Sequence, residues 1–173
     1  MEAMTLRGEA VTLRPWGEDD IPAILATIED PDILHWIPVI PRPYTREDAR
    51  AFVNDEIGLG PHQFAIVADD RVVGSIGMRV NDGGTGHAGY WCARAQRGRG
   101  IVPDALRTLC RYGFDELGLG RIELITDPDN HASQRVAEKA GFQREGVLRS
   151  HLLHPDGRRR DSVMFSLLPG ELT

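Results

Sequence analysis

The chain has 173 residues, 41% of them hydrophobic and 27% charged, and a net charge of −6. That length suits one well-cored domain over residues 1–173, and the composition is that of a globular protein. The acidic balance argues against nucleic-acid binding, no apolar run approaches the roughly 18 residues of a membrane span, and Met1-Glu2-Ala3-Met4 lacks a secretory pattern, so a cytoplasmic setting is expected.

A first strand is read at residues 10–14, where Val11 and Leu13 alternate with their neighbours. Asp19 and Asp20 open a helix with the stripe Ile21, Ile24, Leu25 and Ile28. Residues 35–43 read as a proline-rich, partly aromatic loop. Thr45 and Asp48 are spaced as a capping box before a second helix on Ala49, Phe52 and Val53. Extended segments at 64–68 and 72–80 join at Asp69-Asp70-Arg71 as a hairpin. The turn Asn81-Asp82-Gly83-Gly84 leads to a strand at 87–92. A long helix spans residues 103–117, with Pro103 at its first position and Leu106, Leu109, Cys110, Gly113 and Leu117 on one face. A strand at 121–126, a short helix at 133–140 stopped by Gly141, and strands at 147–153 and 161–168 complete the chain. The order is mixed α/β, and residues 87–126 should form a parallel strand–helix–strand crossover.

The informative unit is Arg97-Gly98-Arg99-Gly100-Ile101-Val102 between a strand and a helix. Glycines let a backbone come close to a ligand, and a helix start presents unpaired N–H groups that attract an anion. Arg94, Arg97, Arg99, Arg107 and Arg111 cluster here, a local cationic patch suited to a small polyanion. A nucleoside triphosphate loop would need Gly-Lys-Ser/Thr, yet Lys139 is the sole lysine, and the third glycine of a dinucleotide fingerprint is missing. Cys92 and Cys110, the only cysteines, belong to no CxxC pair and read as buried thiols, and the histidines match no metal-site spacing.

Arg97-x-x-Gly100-x-Val102 resembles the acyl-CoA signature of the GNAT N-acetyltransferase superfamily, with valine where glycine or alanine is usual. The run from Asn130 and Ser133 through Val136, Glu138-Lys139 and Gly141-Phe142 is similar to its RimJ/RimL-like branch. So are Glu145-Gly146-Val147-Leu148-Arg149 and Asp161, while Gly89-Tyr90-Trp91 resembles the strand before the superfamily signature, and the likeness runs from Val11 onward. The resemblance implies an α/β fold with a mostly antiparallel sheet of about seven strands, about four helices, and a central parallel pair splayed around acyl-CoA.

It also implies acetyl transfer to a primary amine, either a protein N-terminus or a small molecule, with acetyl-CoA as cosubstrate and no metal; a homodimer stays open. Gly98, Arg99, Gly100, Ile101 and Val102, with Arg97, would hold the pyrophosphate, while Cys92 through its main chain and Asn130 would meet the pantetheine arm. Asn130 could instead be a helix cap. By spacing, the tyrosine acid of many members falls on Ala137, and the branch's serine falls on Ser133, which would donate to the departing sulfur or merely serve the helix. His87 stands near the usual base position, with Glu123 or a water chain as alternatives. Trp36 would line the acceptor groove or anchor the core. A non-catalytic acyl-CoA-binding domain and a succinyl-CoA-dependent enzyme are the competing readings.

Overall fold

Extended apolar segments joined by tight turns or by helices build one sheet, which the helices cover on both faces. In the computed structural model, which describes residues 4–173, the order is β1 (Leu6–Arg7), β2 (Thr12–Pro15), α1 (Ile21–Thr27), α2 (Pro31–Trp36), α3 (Arg46–Val53), β3 (Gln63–Ala68), β4 (Arg71–Val80), β5 (Thr85–Cys92), α4 (Ile101–Asp115), β6 (Arg121–Thr126), α5 (His131–Lys139), β7 (Gln143–Leu153) and β8 (Arg159–Leu167). Met1, Glu2 and Ala3, part of the leader and domain readings, lie outside the described residues.

The strands form one eight-stranded sheet in the order β1-β2-β3-β4-β5-β6-β8-β7. Among the described residues only β5 and β6 pair in parallel; the other neighbours are antiparallel. The β3–β4 hairpin turns through Asp69 and Asp70, with φ of 50° and 59°. Two successive positive φ values match the right-handed twist of the strands they join.

Each sheet face buries its own apolar cluster. Leu106 and Leu109 of α4 pack with Ile66, Ile76, Ile122 and Phe165 on one side. Ile21 and Ile24 of α1 pack with Ala49, Trp16 and Trp91 on the other. Thus α4 and α5 cover one face, and α1 to α3 the opposite one. The capping box at α3 is formed: Asp48 N–H donates to Thr45 Oγ1 at 3.1 Å, and Thr45 N–H donates to Asp48 Oδ2 at 2.7 Å.

Several boundaries differ from the sequence reading. Part of the supposed proline-rich loop, His35-Trp36, is the end of α2. That helix starts because Asp30 Oδ1 accepts the Asp32 N–H at 2.9 Å and Pro31 supplies a preset φ. The short β1 raises the described strand total to eight. The long helix begins at Ile101, two residues before Pro103, since Gly100 takes φ 76° as its cap. The short helix begins at His131 because Asn130 is its cap. Strand β7 starts at Gln143 and keeps its pairing through two register shifts.

Asp104, in the first turn of α4, is 5% exposed. Its carboxylate accepts the N–H groups of Glu9, Ala10 and Val11 at 3.1, 2.7 and 3.1 Å. One buried carboxylate therefore fixes the β1–β2 connection to the helix that begins beside the glycine turn.

Candidate active site

Strands β5 and β6 pair from Thr85↔Arg121 to Ala88↔Leu124 and then separate. Beyond Ala88, β5 runs on to Cys92 and β6 to Thr126. A cavity of about 1010 Å³ follows this gap, lined by Gly89, Tyr90, Trp91 and Cys92 on one side and Ile125 and Thr126 on the other. Ala93 N–H donates to Val73 O at 2.8 Å, which closes that pair onto β4. Strand alternation then turns the backbone N–H and C=O groups of Cys92 and Tyr90 toward the gap.

The glycine turn stands at one end of the gap. Gly98 and Gly100 both have φ 76°, a left-handed conformation that strains any other residue. A Cβ on either would meet nothing within 4 Å, so the space before them is open. Ile101 and Val102 begin α4 and are buried, and their N–H groups precede the first intrahelical bond. Asp104 N–H donates to Gly100 O at 3.2 Å, while the Asp104 side chain faces the β1–β2 connection. Gly98, Gly100, Ile101 and Val102 all line the cavity.

The arginines of the turn are already engaged. Arg97 donates to Cys92 O from Nε at 3.1 Å and Nη2 at 2.9 Å, and pairs with Asp30 at 3.0 Å and Asp32 at 3.1 Å. Arg94 joins the same carboxylates at 3.3 and 3.0 Å. Arg99 pairs with Asp69 at 2.9 Å and hydrogen-bonds Gln96. Unmatched cationic charge at the rim comes from α5: Arg135 and Lys139, one turn apart, are exposed, line the cavity and join no ion pair among the described residues. The sequence reading gave neither a place in the site, though it named Lys139 in the run after Ser133; their i, i+4 spacing was the available signal.

At the opposite wall, Asn130 Oδ1 accepts the Ser133 N–H at 3.1 Å, so Asn130 does cap α5. It also lines the cavity. Ser133 Oγ lies 2.5 Å from the Tyr90 hydroxyl. Burial pushes the Tyr90 phenol up to about 12, against a small opposing effect of the Ser133 hydrogen bond, so it stays protonated at neutral pH. Tyr90 was not singled out from the sequence. Strand parity was the missed signal, since it places Tyr90 and Ala88 on the face that α4 and α5 cover. Ala137, the position assigned by spacing to an acidic tyrosine, is 0% exposed and packs in the core beneath α5.

His87 lies in β5 two residues before Gly89, half exposed and outside the cavity lining. Its Nδ1 is 3.0 Å from Glu123 Oε2, and Glu123 also accepts from Arg121 at 2.7 Å. Trp36, at the end of α2, lines the far half of the cavity. Cys92 and Cys110 are free, buried thiols. Burial pushes Cys92 up to about 11, against a lowering by Arg97, and pushes Cys110 up as well. Neither supplies a thiolate nucleophile at neutral pH. The open gap, the backbone edge of Tyr90 with the Cys92 N–H, and the glycine-opened helix start together accommodate an extended ligand with an anionic end.

A profile described as the acetyltransferase (GNAT) domain matches residues 10–143. The uncharacterized N-acetyltransferase p20 of Bacillus licheniformis is 32% identical over 174 residues, covering 96% of this chain and 97% of that protein. The crystal structure of a GNAT-family acetyltransferase from Bacillus anthracis superposes with a TM-score of 0.85 at 27% identity, covering 95% of this chain and 98% of that one. Mycobacterium smegmatis RimJ, solved in complex with CoA-disulfide, gives a TM-score of 0.82 at 28% identity, covering 98% and 88%.

Proposed function

The chain belongs to the GNAT family of N-acetyltransferases, and on that premise we propose that it moves an acetyl group from acetyl-CoA to a primary amine by direct attack within a ternary complex. The observation that carries this reading is the parting of β5 and β6 beyond Ala88, with backbone edge, glycine turn and Ser133 all facing one cavity. The thioester supplies an activated acetyl group; the chain's residues bind, orient and manage protons.

In this proposal the Tyr90 carbonyl and the Cys92 N–H pair with the pantetheine arm as an added strand would, the Cys92 carbonyl being held by Arg97. Asn130 spends its Oδ1 on the helix cap and offers its amide N–H to the same arm. The N–H groups of Gly98, Arg99, Gly100, Ile101 and Val102 receive the pyrophosphate. Arg97 contributes by holding the turn against Cys92 O, and Arg135 and Lys139 meet the remaining phosphate charge. Val102 offers the same backbone N–H that glycine or alanine would, and its side chain is buried away from solvent.

The amine must lose one proton to become a nucleophile. His87, held by Glu123, takes it through water, since the imidazole stands outside the cavity lining. The nitrogen lone pair then forms the amide bond as the carbon–sulfur bond breaks, and the second proton on the attacking nitrogen passes through water to the departing thiolate, giving a neutral amide and a thiol. A strand N–H near Cys92, that of Tyr90, meets the charge developing on the carbonyl oxygen. The buried Tyr90 hydroxyl donates to Ser133 Oγ, which leaves the Ser133 proton free to turn toward the departing sulfur. High thiol values at Cys92 and Cys110 favour this direct route over an acyl-cysteine intermediate. The two free thiols fit a cytoplasmic setting.

The test is acceptor-dependent release of CoA thiol from acetyl-CoA, with mass spectrometry locating the added acetyl group on the amine. Tight CoA binding with no release on any amine or peptide N-terminus would instead identify an acyl-CoA-binding domain.

A further inference from the structure

The cavity continues past the β5 edge to the face covered by α1, α2 and α3, and that half differs in chemistry from the CoA half. Ile24 of α1, Ile33 of α2 and Phe52 of α3, with Ile28 and Ile37 just past the ends of α1 and α2 and Ile40 beyond, form its walls. Trp36 and Tyr44 add two aromatic rings. Trp91 connects this half to the backbone edge that faces the gap.

Charge is the second observation. Among the described residues lining the cavity, the carboxylates are Asp32 and Asp127. Asp32 pairs with Arg94 and Arg97, and Asp127 pairs with Arg160 at 2.9 Å. The one arginine in the apolar half, Arg79, donates to Gly58 O at 2.7 Å. Burial, with Asp48 adding to it, pushes the Tyr44 phenol up to about 12, so it remains neutral. An acceptor with a second ammonium would therefore lose its hydration and find no free carboxylate. An apolar wall also favours the neutral form of the single amine, which is the nucleophilic one.

We propose that the α1–α3 half of the cavity is the acceptor site and selects a primary amine joined to an apolar, aromatic or branched body that carries no second cation near the amine. This rests on the acetyl-transfer reading above and names its substrate class. Two sources share the chemistry: a free apolar amine, and the α-amine of a peptide whose first residue is bulky and apolar.

Two readouts test it on the full chain. CoA release is measured with acetyl-CoA and phenethylamine, ethanolamine or putrescine, and with peptides beginning in Phe or Ser. Phenethylamine or the Phe peptide should exceed its polar counterparts in kcat/KM by at least about tenfold; the two arms tell which source supplies the apolar body. Equal rates, or a preference for ethanolamine, putrescine or the Ser peptide, would overturn the proposal. The same acceptors are titrated against tryptophan emission with CoA present, because Trp36 and Trp91 line the chamber. Saturable binding of the apolar acceptors without turnover would support the chamber while refuting acetyl transfer. Binding that ignores apolarity would refute the chamber whatever the turnover. A gain-of-function variant guards against misfolding: Trp36→Glu adds an unpaired carboxylate and should shift preference toward putrescine by about tenfold, and an unshifted ratio in a folded variant contradicts the proposal.

Discussion

The Tyr90 hydroxyl and Ser133 Oγ stand 2.5 Å apart, joining β5 to the first turn of α5 across the mouth of the strand gap. The contact ties a strand residue that lines the cavity to Ser133, which lines it from α5 and is proposed to meet the departing sulfur. Burial keeps the phenol protonated; in the proposed mechanism the tyrosine is the donor and fixes the serine's rotor.

Tyr90→Phe keeps the ring and removes that donor. We expect kcat to fall about tenfold, the worth of one buried hydrogen bond, with the KM for acetyl-CoA little changed. Ser133→Ala should cost kcat as well, and the double variant no more than Ser133→Ala alone. Additive losses in this cycle would separate the two residues.

The His87–Glu123 pair at 3.0 Å sits beside the cavity and not in its wall. A base working through water predicts that His87→Ala lowers kcat several-fold and that added imidazole restores part of the loss. An unaltered rate would leave proton removal to water alone.

Asp104→Ala strands three backbone N–H groups at Glu9, Ala10 and Val11. Loss of these charge-assisted bonds should cost about 2–4 kcal/mol and lower Tm by roughly 5–10 °C. Thermal melts of the two proteins check this, and an unchanged Tm would show the carboxylate dispensable.

Glu145 accepts Arg121 Nη1 and Nη2 at 2.7 Å each, and Ser166 Oγ at 2.8 Å. The Arg121 guanidinium first, then the Ser166 hydroxyl, hold its carboxyl down at about 2 against the usual 4.5. A folded value below the unfolded one means stability present above pH 4.5 and lost as pH falls from there toward about 2. The Tm gap between wild type and Glu145→Gln should therefore be constant near neutrality and shrink below pH 4.5. The exposure of Glu145 keeps the gap small.

Much of the fold was legible because it is written in local signals. Extended segments bounded by turn residues gave β3 to β6, the Thr45/Asp48 spacing gave α3, and paired aspartates gave the β3–β4 turn. What stayed hidden depends on contacts between distant parts of the chain. Nothing near Arg97 announces that Asp30 and Asp32 will neutralise it, some 65 residues away in sequence. Spacing from Asn130 pointed a tyrosine at position 137, where the helix face is core, while the tyrosine that reaches the cavity arrives from β5. The prolines after Trp36 masked α2, whose start is set by an Asp30 cap and not by apolar periodicity.

The central claim is that the turn at Gly98 and Gly100 holds the CoA pyrophosphate beside the β5–β6 gap. Calorimetric titration of wild type and Gly100→Glu with acetyl-CoA tests it most directly, with circular dichroism as a fold control. At φ 76° the substitution strains the turn by about 1 kcal/mol, yet its side chain points into open space, so the fold should survive. The account predicts binding by wild type and at least about a hundredfold weaker binding by the variant, as the new carboxylate repels phosphate. Undiminished affinity in a folded Gly100→Glu protein would contradict it.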